Sequence, residues 1–295
     1  MIKKAIIPIA GLGTRFLPLS KVLTKELFPL VDKPVIQYIV EEIQASGLKE
    51  IIFVNNPQKK ETKNYFEKYF KKIPELEAIL KFRKKTDLLN ELKVLEKISK
   101  DISFSYVYQK KPLGDGHALL QAKDLIGKEA CAVSWADDIV ESKIPCLLQL
   151  IRVFEKYKKP VLALYRIPKE SFHFYGMAGV EKVAGRIYKI KKIVEKPKTI
   201  EESPSDFAIV GKYVLTPNIF RLLEKASFNK NKEIIMSEVL AKAVQEGEEI
   251  YGYEFEGKWL ECGNKLAYLK SNFYLSLKNP QFGPPLKKFL KDEKL

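Results

Sequence analysis

Apolar positions along this chain fall into short unbroken runs separated by stretches with helical spacing. Residues 3–9 (Lys-Lys-Ala-Ile-Ile-Pro-Ile) form a run of the kind a sheet buries on both faces, and it stops at Ala10-Gly11-Leu12-Gly13. Over 34–46 the apolar residues Val35, Ile39 and Ile43 recur at helical spacing after Pro34, and Gly47 supplies a stop. Glu50-Ile-Ile-Phe-Val54 is a second buried-type strand. Strand, helix, strand with a glycine turn after the first strand is a βαβ unit, which implies parallel pairing.

Further along, the spacing predicts helices over 58–71 and 75–99, a strand over 102–108, and a helix over 115–126. A buried strand over 130–136 ends in Asp137-Asp138, and a helix over 145–157 and a strand over 160–166 follow. From 176 to 195 the strands alternate about a turn at Gly185, the mark of an antiparallel extension. After a polar loop at 197–206 come a strand at 207–214, helices at 217–226 and 233–246, a strand at 250–255, and a C-terminal helix from about 264. No repeat or low-complexity linker interrupts the series. The expected fold is one α/β domain over 1–295: a Rossmann-like mixed, mainly parallel sheet flanked by helices, with a small antiparallel extension.

Composition narrows the functional classes. An apolar share of 46% and a charged share of 30% fit a globular enzyme rather than a disordered chain. No apolar run reaches the roughly 18 residues that span a bilayer, and the first residues lack a signal-peptide cleavage site. A cytoplasmic protein without a membrane partner is expected. Subtracting 37 acidic from 52 basic residues leaves +15. The lysines are scattered in pairs such as Lys59-Lys60, Lys110-Lys111 and Lys191-Lys192, with no nucleic-acid-binding motif, and read as solvated faces. No nucleic-acid partner is expected. Cys131, Cys146 and Cys262 are widely spaced and lack a CxxC pattern; with His117 and His173 the only histidines, a zinc site has little to build on.

Candidate chemistry begins at Gly11-Leu-Gly-Thr-Arg15. A glycine loop after a first strand lets backbone N–H groups approach phosphate oxygens. It is no P-loop, because Gly-Lys-Ser/Thr does not follow, and no dinucleotide fingerprint, because the second strand ends in Asn55-Asn56 rather than an acid. Read alone it could equally be a tight structural turn. Arg15, followed by Lys25-Glu26, supplies the positive charge a triphosphate needs. Asp137 stands where an open α/β sheet presents ligands, and its carboxylate suits Mg²⁺. Asp138 either shares that metal or caps the next segment.

The stretches A-G-L-G-T-R-F-L-P at 10–18 and K-E-L-F-P-L-V-D-K-P-V-I-Q-Y at 25–38 resemble bacterial UTP–glucose-1-phosphate uridylyltransferases, of the sugar nucleotidyltransferase family. So do E-L-E-A-I-L-K-F-R at 75–83, G-H-A at 116–118, V-E-K-P-K at 194–198, A-I-V-G-K-Y-V-L at 208–215 and E-C-G-N-K-L at 261–266. The motifs are colinear from about residue 3 to 275. The resemblance implies a nucleotide-binding part over about 1–140, a sugar-phosphate-binding part over about 141–270 and a C-terminal helix over 264–295. It implies Mg²⁺ as cofactor, UTP and glucose 1-phosphate as partners, and a homo-oligomer to which the 75–99 and C-terminal helices contribute. Nucleotide contacts fall on Ala10, Gly11, Gly13, Thr14, Arg15, Lys25, Gln109, Gly114 and Gly116. Sugar-phosphate contacts fall on Gly176, Glu195, Lys196 and Val210, catalytic roles on Arg15, Lys25 and Lys196, and metal ligation on Asp137 and Glu261. Two positions depart from the pattern. Asp115 replaces a more usual apolar residue beside the nucleobase glycines, and Glu261 replaces Asp, so either the metal shifts or a water intervenes. His117 is read as structural or nucleotide-positioning, since the attacking phosphate oxygen is already ionised.

Overall fold

The structure is a computed structural model that describes residues 2–69, 73–227 and 233–294. In chain order its main elements begin with β1 (Lys4–Pro8), α1 (Val35–Ala45), β2 (Glu50–Asn55), α2 (Pro74–Phe82), α3 (Thr86–Asp101) and β3 (Ser103–Tyr108). Next come α4 (Asp115–Leu120), β4 (Cys131–Ser134), β5 (Asp138–Glu141), α5 (Cys146–Tyr157), β6 (Val161–Arg166), β7 (Gly176–Ala184), β8 (Ile187–Glu195) and β9 (Phe207–Leu215). The chain finishes with α6 (Pro217–Ser227), α7 (Met236–Gln245), β10 (Tyr251–Glu254), β11 (Lys258–Glu261), α8 (Lys265–Lys278) and α9 (Gly283–Asp292).

Among the described residues, nine strands form one sheet in the order β3-β2-β1-β4-β9-β6-β10-β8-β7. It is a mixed sheet. Strands β3, β2, β1 and β4 pair in parallel, as do β6 and β10. Strand β9 pairs antiparallel with β4, β6 and β7, and β8 antiparallel with β10 and β7. The βαβ start and the 176–195 hairpin thus stand as the hydrophobic pattern implies. The unbroken apolar runs follow from burial on both faces: Ala5 and Ile7 pack towards α1 and α5, whereas Ile6 faces the layer of α4, α6 and α7. Strand β9 is buried along its whole length, including Lys212, whose ammonium meets Glu42 of α1 at 2.7 Å and donates to Ser134 Oγ at 3.0 Å.

Several elements differ from the sequence expectation. The single helix over 75–99 is two helices, α2 and α3, because Lys84 takes a left-handed φ of 54° between them. The helix over 58–71 is Glu61–Asn64 followed by wider turns at Tyr65–Tyr69, and its last two residues lie outside the described residues. The segment 115–126 is broken into Asp115–Leu120 and Lys123–Ile126. The C-terminal helix is broken at Asn279–Phe282, where Asn279 Oδ1 accepts from the backbone N–H groups of Gln281 and Phe282. The strand expected over 130–136 ends at Ser134, and a separate antiparallel ribbon of β5 and β11, unforeseen in the pattern, follows the turn that carries Asp137. No helix among the described residues is long and apolar enough to cross a membrane.

Candidate active site

The glycine loop leaves β1 and is shaped by Gly13, whose φ of 68° lies in the left-handed region. Around Gly11 the space that a side chain would fill is open, so a ligand can reach its backbone. A single turn at Thr14–Phe16 then sends Arg15 to the carbonyl of Gly263, where its guanidinium donates over 3.3 Å. A second tight turn at Lys25–Leu27 brings Lys25 Nζ onto Asp137 Oδ2 at 2.5 Å. Burial alone would lower the Lys25 pKa and raise that of Asp137. Their mutual attraction outweighs it, helped by Glu26 at the lysine and Arg15 at the aspartate, so Lys25 lies above its ordinary value and Asp137 below.

Glu26, in the same turn, is 2% exposed, and neither carboxylate oxygen has a hydrogen-bond partner. Its neighbour is Lys59 Nζ, 3.8 Å away, which also donates to the carbonyl oxygen of Gly11. Lys59 is therefore not the solvated lysine that the paired-lysine pattern implies. It links the glycine loop to a buried acid, and nothing in its sequence context separates it from its neighbour Lys60.

On the nucleobase side, Gln109 is buried, and its amide nitrogen donates to Gly114 O at 2.8 Å and lies 3.0 Å from His117 Nδ1. Burial lowers the His117 pKa, which keeps the ring neutral and able to accept that bond. Packing alone requires glycine at Gly114 and Gly116. A Cβ on Gly114 would lie 2.4 Å from Ile234 O, and one on Gly116 2.9 Å from the same atom, so the chain's own backbone fills that space.

The residues that the resemblance assigns to the sugar phosphate are brought together at the hairpin of β7 and β8. Glu195 ends β8 opposite Gly176, and a Cβ on Gly176 would stand 3.0 Å from Glu195 Oε2. Lys196 takes a left-handed φ of 45°, held by its N–H donating to Tyr175 O at 3.1 Å; its Nζ lies 3.6 Å from Glu195 Oε1. Val210 departs from its expected contact role. Its side chain is wholly buried in the core, because period-2 alternation along β9 turns Ile209 and Gly211 to the cavity and Val210 away. The cavity also has an aromatic wall, Trp135, Phe174, Tyr175, Tyr213 and Trp259, which includes both tryptophans of the chain and of which the quoted motifs contain Tyr213 alone. The cluster Phe172-His-Phe-Tyr175 just before Gly176 is the one sequence signal of that wall.

Both carboxylate oxygens of Asp138 are engaged by the protein. Its Oδ1 accepts from the Trp259 indole at 2.7 Å and its Oδ2 from the Gly211 N–H at 3.1 Å. Burial and the adjacent Asp137 charge push its pKa up to about 7. Glu261 accepts from the Tyr175 hydroxyl at 2.6 Å and from Asn264 Nδ2 at 3.2 Å. Glu261 Oε1 and Asp137 Oδ2 each lie 3.3 Å from the point where Gly263 would carry a Cβ, and Arg15 Nη1 lies 3.4 Å from it. Two carboxylates converging on one small space fit Mg²⁺, which takes one or two protein carboxylates and keeps waters and phosphate oxygens. Among the described residues, no group of three or more His, Cys, Asp or Glu is placed to hold a metal ion.

A family model described as nucleotidyl transferase matches residues 4–276. The chain belongs to that family. Among family relatives, a UTP–glucose-1-phosphate uridylyltransferase of Staphylococcus epidermidis is 39% identical over 290 residues, covering 98% of each chain. A second such enzyme, from Staphylococcus saprophyticus, is 40% identical over 294 residues, covering 100% of this chain and 99% of the relative. Among solved structures, a UDP-glucose pyrophosphorylase complexed with UDP-glucose superposes with a TM-score of 0.84 at 36% identity, over 95% of this chain and 100% of that one. A UTP-bound enzyme of Acinetobacter baumannii gives 0.85 at 34% identity, over 98% and 99%. In this nucleotidyl transferase, one cavity is lined by Arg15, Asp137, Gly176, Glu195, Lys196 and Glu261, with Lys25 bonded to Asp137 at its edge. Gln109, Gly114 and Gly116 stand together apart from that lining.

Proposed function

We propose that this chain is a UTP–glucose-1-phosphate uridylyltransferase, which transfers UMP from UTP to glucose 1-phosphate and gives UDP-glucose and pyrophosphate. The observation that carries the reading is the convergence of Arg15, Lys25 and Asp137 beneath the glycine loop, facing Glu195 and Lys196 across one cavity. The full-length relatives named for this reaction supply the nucleotide and the sugar.

UTP lies along residues 10–15, with its base towards Gln109 and the backbone of Gly114 and Gly116. Glucose 1-phosphate enters against Gly176, Glu195 and Lys196: a polyol needs acceptors such as the Glu195 carboxylate, and a dianionic phosphate needs a point charge such as Lys196. A phosphate oxygen of the sugar attacks the α-phosphorus in line, and the bond to the β-phosphate oxygen breaks. Because that oxygen is already ionised, the protein supplies position and charge rather than a general base. Lys25 and Lys196 stabilise charge at the α-phosphate, and Arg15 stabilises the leaving pyrophosphate. Asp137 and Glu261 would hold Mg²⁺, which would supply neutralisation of phosphate charge. The nucleotide half over about 1–140 and the sugar half over about 141–270 both line the cavity. The protein works in the cytoplasm as a homo-oligomer, a reading supported by exposed apolar side chains on α2 (Phe82), α8 (Phe273) and α9 (Phe289).

The test is a matrix of nucleoside triphosphates and sugar 1-phosphates with Mg²⁺, read as pyrophosphate release. UTP with glucose 1-phosphate is expected to give the highest kcat/KM. A preference for dTTP or CTP would overturn the uridylyl assignment.

A further inference from the structure

Asp115 departs from the pattern of the resembled family at a position that motif alignment places beside the nucleobase. The structure puts its side chain elsewhere. Asp115 lines the cavity of Glu195, Lys196 and Gly176, together with Ser237 and Tyr213, whereas Gln109 and His117 do not. Its Oδ1 accepts from the backbone N–H groups of Gly116 at 2.8 Å and Met236 at 2.9 Å. Those two bonds fix the carboxylate between the start of α4 and the start of α7. The other oxygen, Oδ2, has no hydrogen bond among the described residues. Nearby, Ser237 Oγ is buried without a partner, and Ser237 Cβ lies 3.7 Å from the point where Gly176 would carry a Cβ, a point 3.0 Å from Glu195 Oε2.

A carboxylate oxygen held in place at a cavity wall without a protein donor is free to take a hydrogen bond from a ligand that displaces water. The cavity that Asp115 lines also carries Glu195, Lys196, Ser237 and Tyr213, and it is where the sugar ring is proposed to lie. We propose that Asp115 is a specificity residue for the sugar rather than the nucleobase: its free Oδ2 accepts a hydrogen bond from one ring hydroxyl of the sugar 1-phosphate, while Glu195 accepts from another. This rests on the proposed uridylyl transfer and deepens it, because it names what the sugar must carry. A hexose with hydrogen-bond donors at both positions is selected, and one that is deoxygenated opposite Asp115 is rejected.

The test is steady-state kinetics of the full chain with UTP, using glucose 1-phosphate and its monodeoxy analogues, in wild type, Asp115→Asn and Asp115→Leu. Asn retains an oxygen that can accept both backbone N–H bonds, so it separates sugar contact from the anchoring of α7. In Asp115→Leu, KM for the sugar phosphate is expected to rise about tenfold, and in Asp115→Asn about threefold, with KM for UTP unchanged within about twofold in both. One deoxy analogue is expected to be about tenfold poorer than glucose 1-phosphate in wild type and to lose that penalty in Asp115→Leu. A shift in KM for UTP or in the UTP-to-dTTP ratio would return Asp115 to the nucleotide. A lowered Tm in Asp115→Leu with unchanged KM values in Asp115→Asn would reduce it to an anchor of α7. If glucose 1-phosphate itself is not used, the uridylyl reading fails. The comparison of variants is then made with whichever sugar 1-phosphate wild type prefers, and that sugar's own deoxy analogues decide on Asp115 separately.

Discussion

A single ion pair sets the charge balance of the phosphate site. Lys25 and Asp137 come from segments 112 residues apart, and each holds the other in its charged form against burial. In the proposed reaction Asp137 serves two partners, the ammonium and a metal, so removing its charge would affect both. Asp137→Asn is expected to lower kcat by about 100- to 1,000-fold while the far-ultraviolet spectrum stays native, and Lys25→Met to lower it by a similar factor. Pyrophosphate release measures both, and an Asp137→Asn enzyme with kcat within threefold of wild type would remove that residue from the metal site. Val210 offers the converse. It sits on the same strand as three cavity residues, Ile209, Gly211 and Tyr213, yet faces the core, so Val210→Ala is expected to cost about 2 kcal/mol of stability with KM for the sugar phosphate unchanged. Urea unfolding alongside kinetics separates the two effects, and a rise in KM without loss of stability would restore Val210 to the sugar contacts.

At the level of elements, the buried pair of Lys212 on β9 and Glu42 on α1 locks the helix to the sheet next to the strand that leads into Asp137. The lysine side chain is wholly buried and that of Glu42 only 9% exposed. Glu42→Ala leaves the ammonium, among the described residues, with Ser134 Oγ as its hydrogen-bond partner and no paired carboxylate, and is expected to destabilise the fold by about 3–5 kcal/mol. Combining Glu42→Leu with Lys212→Met is expected to recover most of that loss, since no charge is left unpaired. Equal instability in the single and the double variant would show that volume rather than charge governs the site. Elements of this buried kind were legible in sequence because burial on two faces writes an unbroken apolar run, as in β1, β2 and β9. The ribbon of β5 and β11 was not, since Asp138–Glu141 and Lys258–Glu261 are four-residue strands with mixed polarity and no run to recognise. Nor was the break at Lys84 read from the sequence: lysine itself carries no helix-ending signal, and the mark it leaves is only the polar run Arg83-Lys84-Lys85-Thr86-Asp87 between Phe82 and Leu88. For the site, the charged residues Arg15, Lys25, Asp137, Glu195 and Lys196 could be picked out by motif. The facing direction of Val210 and Asp115 depends on strand register and on what α7 presents, and neither is local.

Across the whole molecule, the buried carboxyls leave a signature in how stability depends on pH. Burial raises the pKa of Glu26, and the opposing attraction of Lys25 and Lys59 does not cancel it. Burial likewise raises Asp115 against the two N–H bonds it accepts. Such groups keep their protons in the fold to a higher pH than in the unfolded chain. Above their ordinary values of 4.5 and 3.8 the fold therefore binds more protons than the unfolded state, and stability falls as pH rises until each folded pKa is passed. His117 acts in the opposite sense. Its pKa is lowered by burial, so the unfolded state binds more protons just below 6.5 and stability rises with pH there. Comparing wild type with Glu26→Gln isolates one carboxyl from this sum, because glutamine keeps the shape and cannot ionise. The variant is expected to match wild type near pH 4 and to become progressively more stable than it as pH rises towards 7. The gain is about 1.4 kcal/mol per pH unit, and it levels off where Glu26 ionises in the fold. For a chain of this size that is a difference of a few degrees in Tm, measurable by calorimetry across a pH series. Parallel Tm curves would mean that Lys59 and Lys25 fully offset the burial of Glu26, and a variant less stable at pH 7 would mean that the charged acid is what holds Lys59 against the glycine loop.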